Sequence, residues 1–245
     1  MKSSSKKEQH LTLTLLREGD IEVTGQFTWG SNFTFLAKVR RDGTECEAVY
    51  KPQRGERPLW DFPAESLAGR EVAAFLVSEA LGWELVPPTV FRQDGPLGPG
   101  SLQEHVFHDP EQHYFTFDRQ TRGRLRQVAL FDMLINNADR KGGHILLGAG
   151  GKLWLIDHGI SFHAEPKLRT VVWDFVGEEF PAELLADLEG LREELKAKQG
   201  LRKELRTHLS NEELVALEAR LAQLLDERRF PAPPEDIRAT PWPLV

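Results

Sequence analysis

The chain has 245 residues with 31 Lys and Arg against 38 Asp and Glu, a net charge of −7, which excludes a nucleic-acid or anionic-membrane binder working through bulk positive charge. Its single cysteine, Cys46, leaves no intramolecular disulfide framework and no cysteine-based zinc site. No apolar run reaches the roughly 18 residues of a membrane span, and the polar, lysine-bearing start has no apolar signal core, so a soluble, cytoplasmic protein is expected.

Residues 1–10 read as a disordered polar leader. From Leu11 to Lys51 the chain has strand character: Thr12, Val23, Phe27, Phe33, Phe35 and Val39 are β-branched or aromatic, and Asp42-Gly43 is the clearest hairpin turn. Three prolines make 52–63 a loop. A helix is expected over 64–81, with Gly82 just past its end, and two further strands over 89–92 and 102–106. A helix over 124–136 presents Val128, Phe131, Leu134 and Ile135 on one face. A short hairpin then pairs 144–147 with 153–156 across a glycine turn. Leu184, Leu188, Leu191 and Leu195 keep helical spacing, and Ser210 with Glu213 forms a capping box ahead of Leu214, Leu217, Leu221 and Leu224. Core packing is the first reading of these leucines, and a face for a protein partner the second. The expected fold class is α+β, in two lobes: a β-rich lobe over 11–105 with one helix, then a mainly helical lobe over 106–230. Residues 231–245, with prolines at 231, 233, 234, 241 and 243, read as an extended tail.

Three stretches carry possible chemistry. Gly25-Gln-Phe-Thr-Trp-Gly30-Ser31-Asn32 has the spacing of a P-loop, but Ser-Asn stands where that motif needs Lys-Ser/Thr, and a strand follows rather than a helix. It reads as a hairpin, either plain or one whose backbone N–H groups cover phosphates. Next, Lys51 ends a strand, and Glu71 lies 20 residues on, sharing a helical face with the apolar Leu67 and Phe75. A carboxylate on that face needs a cation if it is buried. A strand lysine pinned by a helix glutamate holds the α- and β-phosphates in kinases; the plainer alternative is two separate solvated charges. Third, Asp139-Arg140-Lys141-Gly142-Gly143-His144 leaves a helix and enters a hairpin whose return strand ends in Asp157-His158-Gly159. Two acids so placed suit one base that orients a hydroxyl and one metal ligand that bridges phosphates. Asp139 and His144 keep the base-to-metal-ligand offset of a kinase loop, and Asp157-His158-Gly159 stands where Asp-Phe-Gly would. In that order, after Lys51 and Glu71, the motifs are kinase-like.

The run from Phe131 to Arg140, with Ile156-Asp157-His158-Gly159-Ile-Ser-Phe162, resembles phosphatidylinositol 3- and 4-kinases, and more closely a small group of bacterial proteins related to them. The resemblance spans about residues 25–175. It implies a bilobal protein-kinase-like fold, ATP with Mg2+ or Mn2+ in the interlobe cleft, and transfer of the γ-phosphoryl group to an acceptor. It implies that Asp139 is the catalytic aspartate, Asp157 the metal aspartate, Lys51 the phosphate lysine and Glu71 its helix partner. Gly30, Ser31 and Asn32 would cover the phosphates, and 100–105, with Gln103, Glu104 and His105, would be the hinge that meets adenine. Lys141 stands where the larger lipid kinases have a histidine and is placed near the γ-phosphate.

The sequence departs from the pattern at His144, where kinases place the asparagine that binds magnesium; imidazole suits softer divalent ions such as manganese. Either the metal differs, or Asp157 holds it alone, or transfer is lost and His144 caps a strand. Lys167 and Arg169 face either an anionic acceptor or solvent. The chain is therefore expected to be a phosphotransferase of unknown acceptor (a lipid, a protein or a small metabolite), with a nucleotide-binding pseudokinase and a nucleotidyl (AMP) transferase as alternatives.

Overall fold

A computed structural model describes residues 2–27, 32–197, 199–235 and 238–245, with side chains from residue 7 onward. Helix α1 (Lys2–Glu18) opens the chain, followed by strands β1 (Asp20–Phe27), β2 (Thr34–Arg41) and β3 (Thr44–Pro52), helix α2 (Leu67–Ala80), and strands β4 (Thr89–Arg92) and β5 (Gly100–Glu104). The strands form one antiparallel sheet in the order β1-β2-β3-β5-β4. Asp42 (φ 50°) and Gly43 (φ 76°) both take the left-handed conformation that a tight hairpin with matching twist requires.

Two expectations change here. Residues 2–18 are helical rather than a leader followed by a strand. The alternation Leu11-Thr12-Leu13-Thr14-Leu15 imitates a strand, but a helix lets Leu15 and Leu16 share one buried face against Ala37, Ala48, Tyr50 and Leu102. The Arg92 guanidinium ties down the end of the helix, donating to Leu16 O in its last turn and to Gly19 O just past it, both at 2.9 Å. The sheet therefore lies between two helices rather than beside one. Side chains alternate along β3, so Ala48 and Tyr50 face α1 while Val49 and Lys51 face the other way, toward α2.

The rest is mainly helical: α3 (Arg119–Gly123), α4 (Arg126–Ile135), the hairpin β6 (Ile145–Leu147) and β7 (Leu153–Leu155), α5 (Ala182–Lys196), α6 (Leu201–Leu205) and α7 (Asn211–Glu227). Leu184, Leu188, Leu191, Leu195, Leu214, Leu217, Leu221 and Leu224 are all buried in one cluster with α4. That stripe is spent on the chain's own core, so the partner face read from it is withdrawn. The proline-rich end is not a free tail either: Ala239 O accepts from Thr170 N–H at 3.0 Å and from Trp173 Nε1 at 3.2 Å, and Leu244 O accepts from Gly142 N–H at 2.7 Å. No helix among the described residues is long and apolar enough to cross a membrane.

Candidate active site

The loop bearing Asp139 is set by the end of α4. Asn136 takes the left-handed conformation (φ 52°, ψ 52°) and stops the helix. Behind it, Asp132 is fully buried, and its carboxylate accepts from Arg140 Nε, Asn137 Nδ2 and Thr170 Oγ1, each at 3.0 Å. An ionised carboxylate is tolerated at such depth only with this density of donors. Arg140 spends its other nitrogens on Ile156 O (2.8 Å), His144 O (3.3 Å) and His158 Nε2 (2.8 Å). One guanidinium thus ties the Asp139 loop to the strand end that carries Asp157, and fixes the spacing between the two acids.

Lys51 meets both other elements of the site. Its Nζ pairs with Glu71 and lies 2.7 Å from Asp157 Oδ1. Buried Glu71 is satisfied a second time by His158 N–H at 2.9 Å. Gly159 permits the approach of α2, since a Cβ there would sit 3.3 Å from Leu67 Cβ. Asp157 itself is held at φ 64°, an unusual conformation for a residue with a side chain. Its other oxygen, Oδ2, is 3.2 Å from His144 Nε2, and Lys141 Nζ is 3.2 Å from Asp139 Oδ2. Lys51, Glu71, Asp139, Lys141 and Asp157, with Asn32, border one cavity of about 110 Å3. Larger hollows exist, such as one of about 610 Å3 beside Arg192 and Arg206, but none of these brings a pair of acids to a lysine.

The charges follow from these neighbours. Lys51 holds the Asp157 carboxyl well below the usual carboxylate range, against the cost of burial. Burial acts to lower Lys51, but Asp157 and Glu71 outweigh it and raise it. Burial raises the Asp139 carboxyl, with Lys141 opposing, the direction that suits a proton acceptor near neutral pH. Burial also lowers His144 to about 4, so its imidazole is neutral at pH 7. A neutral ring nitrogen beside a carboxylate is a sound pair of donors for a divalent ion, with manganese favoured over magnesium by the nitrogen. Among the described residues no group of three or more His, Cys, Asp and Glu could hold a metal, so other ligands would have to come from phosphate oxygens and water.

No protein-family model matches the chain. Protein Rv2133c of Mycobacterium tuberculosis is 39% identical over 264 residues, covering 94% of each protein. The chain belongs to the family of that mycobacterial protein. Among solved structures it is similar to the Golgi casein kinase with Mn and ADP bound (TM-score 0.55, 15% identity, 90% of this chain and 75% of that one). It is also similar to hydra Fam20 with sugar (TM-score 0.56, 16% identity, 89% and 87%), and to the proinflammatory kinase CtkA of Helicobacter pylori (TM-score 0.51, 10% identity, 88% and 94%). At these identities the likeness shows the fold: a kinase-like α+β architecture with an antiparallel N-terminal sheet.

Among the residues singled out in the sequence, Lys51, Glu71, Asp139, Lys141, His144 and Asp157 converge. Gly30 and Ser31 lie outside the described residues; Asn32 borders the cavity and accepts from Arg57 N–H at 2.7 Å. The hinge residues do not offer side chains to the cleft. Gln103 is buried and spends its amide on Thr89 Oγ1 at 2.8 Å. Glu104 lies on the α1 face of the sheet by strand alternation, and its N–H is taken by Pro88 O at 2.8 Å. His105 gives its N–H to Glu47 O at 3.0 Å. Lys167 is neutralised by Asp61 at 2.9 Å, whereas exposed Arg169 has no side-chain partner among the described residues and acts on Asp139 through its charge.

Sequence reasoning missed Asp132, Arg140 and Glu56. Glu56 caps α2 from a distant loop, accepting from Ala68 N–H at 2.9 Å and Leu67 N–H at 3.2 Å. No local pattern marks it, because the cap is 11 residues upstream of the helix.

Proposed function

We propose that the chain is an ATP- and metal-dependent phosphotransferase, akin to phosphatidylinositol 3- and 4-kinases in its motif run, with a lipid, protein or small-metabolite hydroxyl as acceptor. The observation that carries this reading is Lys51, paired at once with Glu71 and Asp157 across the cleft from Asp139. Lys51, oriented by Glu71, binds the α- and β-phosphate oxygens. Asp157 and neutral His144 would hold the divalent ion, which would supply neutralisation of phosphate charge when bound. Asp139 orients the acceptor hydroxyl and takes its proton as the new oxygen–phosphorus bond forms and ADP leaves. Lys141 offsets negative charge on the transferring group and keeps Asp139 in place.

The test is a thermal-shift titration with ATP plus Mg2+ or Mn2+, followed by an assay for γ-phosphate loss. Metal-dependent stabilisation and transfer are expected. Asp139→Ala should lower turnover at least 100-fold while nucleotide binding persists, the scale of a lost general base; full activity in that variant sinks the assignment. His144 favours one second reading, a pseudokinase, and nucleotide binding without turnover would support it. Products gaining the mass of AMP instead of phosphate would identify a nucleotidyl transferase.

A further inference from the structure

Helix α2 brings Glu71 to Lys51, and what holds α2 comes from far down the chain. Arg70, one residue before Glu71, is 1% exposed. Its guanidinium pairs with Glu213, donates to Ser161 O at 2.5 Å and lies 4.8 Å from the centre of the Phe62 ring. Glu213 is the third residue of α7, and its second oxygen accepts from Ser210 N–H at 2.8 Å, closing a capping box. The carboxylate is therefore fixed before Arg70 reaches it. Gly69 lets α2 rest on the turn before α7, since a Cβ there would lie 3.3 Å from His208 O. Further along α7, Arg220 donates to Leu134 O at 2.9 Å and His163 O at 3.1 Å. The same helix therefore grips the end of α4 and the segment that follows Asp157.

We infer that Glu213 is a positioning residue for phosphate binding: through Arg70 it locks α2 in the arrangement in which Glu71 directs Lys51 toward Asp157. The inference rests on the phosphotransferase reading for its functional consequence, but the clamp itself does not. Among the described residues Arg70 has no other carboxylate partner, and a buried guanidinium that loses its carboxylate must move toward water or remain uncompensated. Either outcome shifts the helix turn that contains Glu71. A pair that merely adds stability would weaken the whole fold without singling out Lys51.

Two measurements on the full chain separate these possibilities. In Glu213→Gln, hydrogen exchange of the α2 amides should accelerate while the amides of β2 and β3 keep their protection. Affinity for Mn-ADP should fall roughly tenfold, the scale of one hydrogen bond to a charged group. In a Glu71→Gln background the same change should cost little more, because its route runs through Glu71. Unchanged α2 exchange, or an equal fold-loss in both backgrounds, overturns the inference. Should Glu213→Gln fail to fold, Glu213→Asp serves in its place: it keeps the charge but pulls the carboxylate back from Arg70, and the same two readouts apply. If the wild-type chain binds no nucleotide, the reading of the cleft fails, and α2 exchange alone still decides the clamp.

Discussion

On the proposed reading of the cleft, metal preference turns on His144. Its imidazole lies 3.2 Å from Asp157 and is neutral at pH 7 because burial lowers it to about 4. Nitrogen ligands favour manganese, while magnesium demands oxygen. His144→Gln replaces the ring with an amide oxygen that reaches about as far as Nε2 does. The ratio of Mn2+- to Mg2+-supported turnover should fall by about tenfold or more, within the range that ligand-shell changes produce in metal sites; an unchanged ratio would remove His144 from the metal. At this scale the sequence was informative where chemistry dictates residue type. Lys51, Glu71, Asp139 and Asp157 stand out because acids and a lysine in that order have few other uses. Asp132 and Arg140 did not, although they set the spacing of the acids. Asp132 sits on a helix among Phe131, Met133 and Leu134, and nothing local says that its charge will meet a guanidinium eight residues later.

Among the elements, α1 shows how a local pattern misleads. Leucines at 11, 13 and 15 alternate with threonines as in a half-buried strand, yet Leu11 is exposed while Leu15 and Leu16 are buried side by side. What overrides the pattern is the α1 face of the sheet, where Tyr50, Val90 and Leu102 present an apolar surface that a helix covers. Leu16→Ala should therefore cost about 2–5 kcal/mol, as for other fully buried leucines. Urea unfolding would show it as a lower midpoint with the slope unchanged; a leader outside the core would give no shift. Strands β2 and β3 were legible because the Asp42-Gly43 turn fixes their register, and the leucines of α5 and α7 because their spacing and the capping box agree. The long-range pairing of α2 with α7 lay beyond such patterns: the capping box identified Glu213 as a cap, and only the fold brings Arg70 to it.

Across the whole molecule, the site is assembled from segments far apart in the chain, and the two histidines behind its exposed carboxylate, Asp157, are set into the fold, which gives it a defined response to acid. His158 is fully buried, with Nε2 accepting from Arg140 at 2.8 Å and its ring edge against Phe131. Protonating Nε2 would break the contact with Arg140 and place two cations together. Burial and the Arg140 charge accordingly push His158 well below its ordinary range, and His144 is lowered in the same direction. In the unfolded chain both titrate near 6.5. Below that value the unfolded state binds protons that the native state refuses, so stability falls as pH falls and is regained above about 6.5. One unit below it, the two histidines together should cost about 2–3 kcal/mol. Asp139 and Asp132, both raised by burial, act in the opposite sense: they take up protons in the native state before the unfolded one does, at the more acidic end of the range. The loss should therefore set in near pH 6.5 and steepen over the next unit, before the raised carboxyls begin to offset it. Urea midpoints measured between pH 7.5 and 5 would trace this curve, and a flat line across the interval would mean that the two imidazoles are not held neutral beside Asp157.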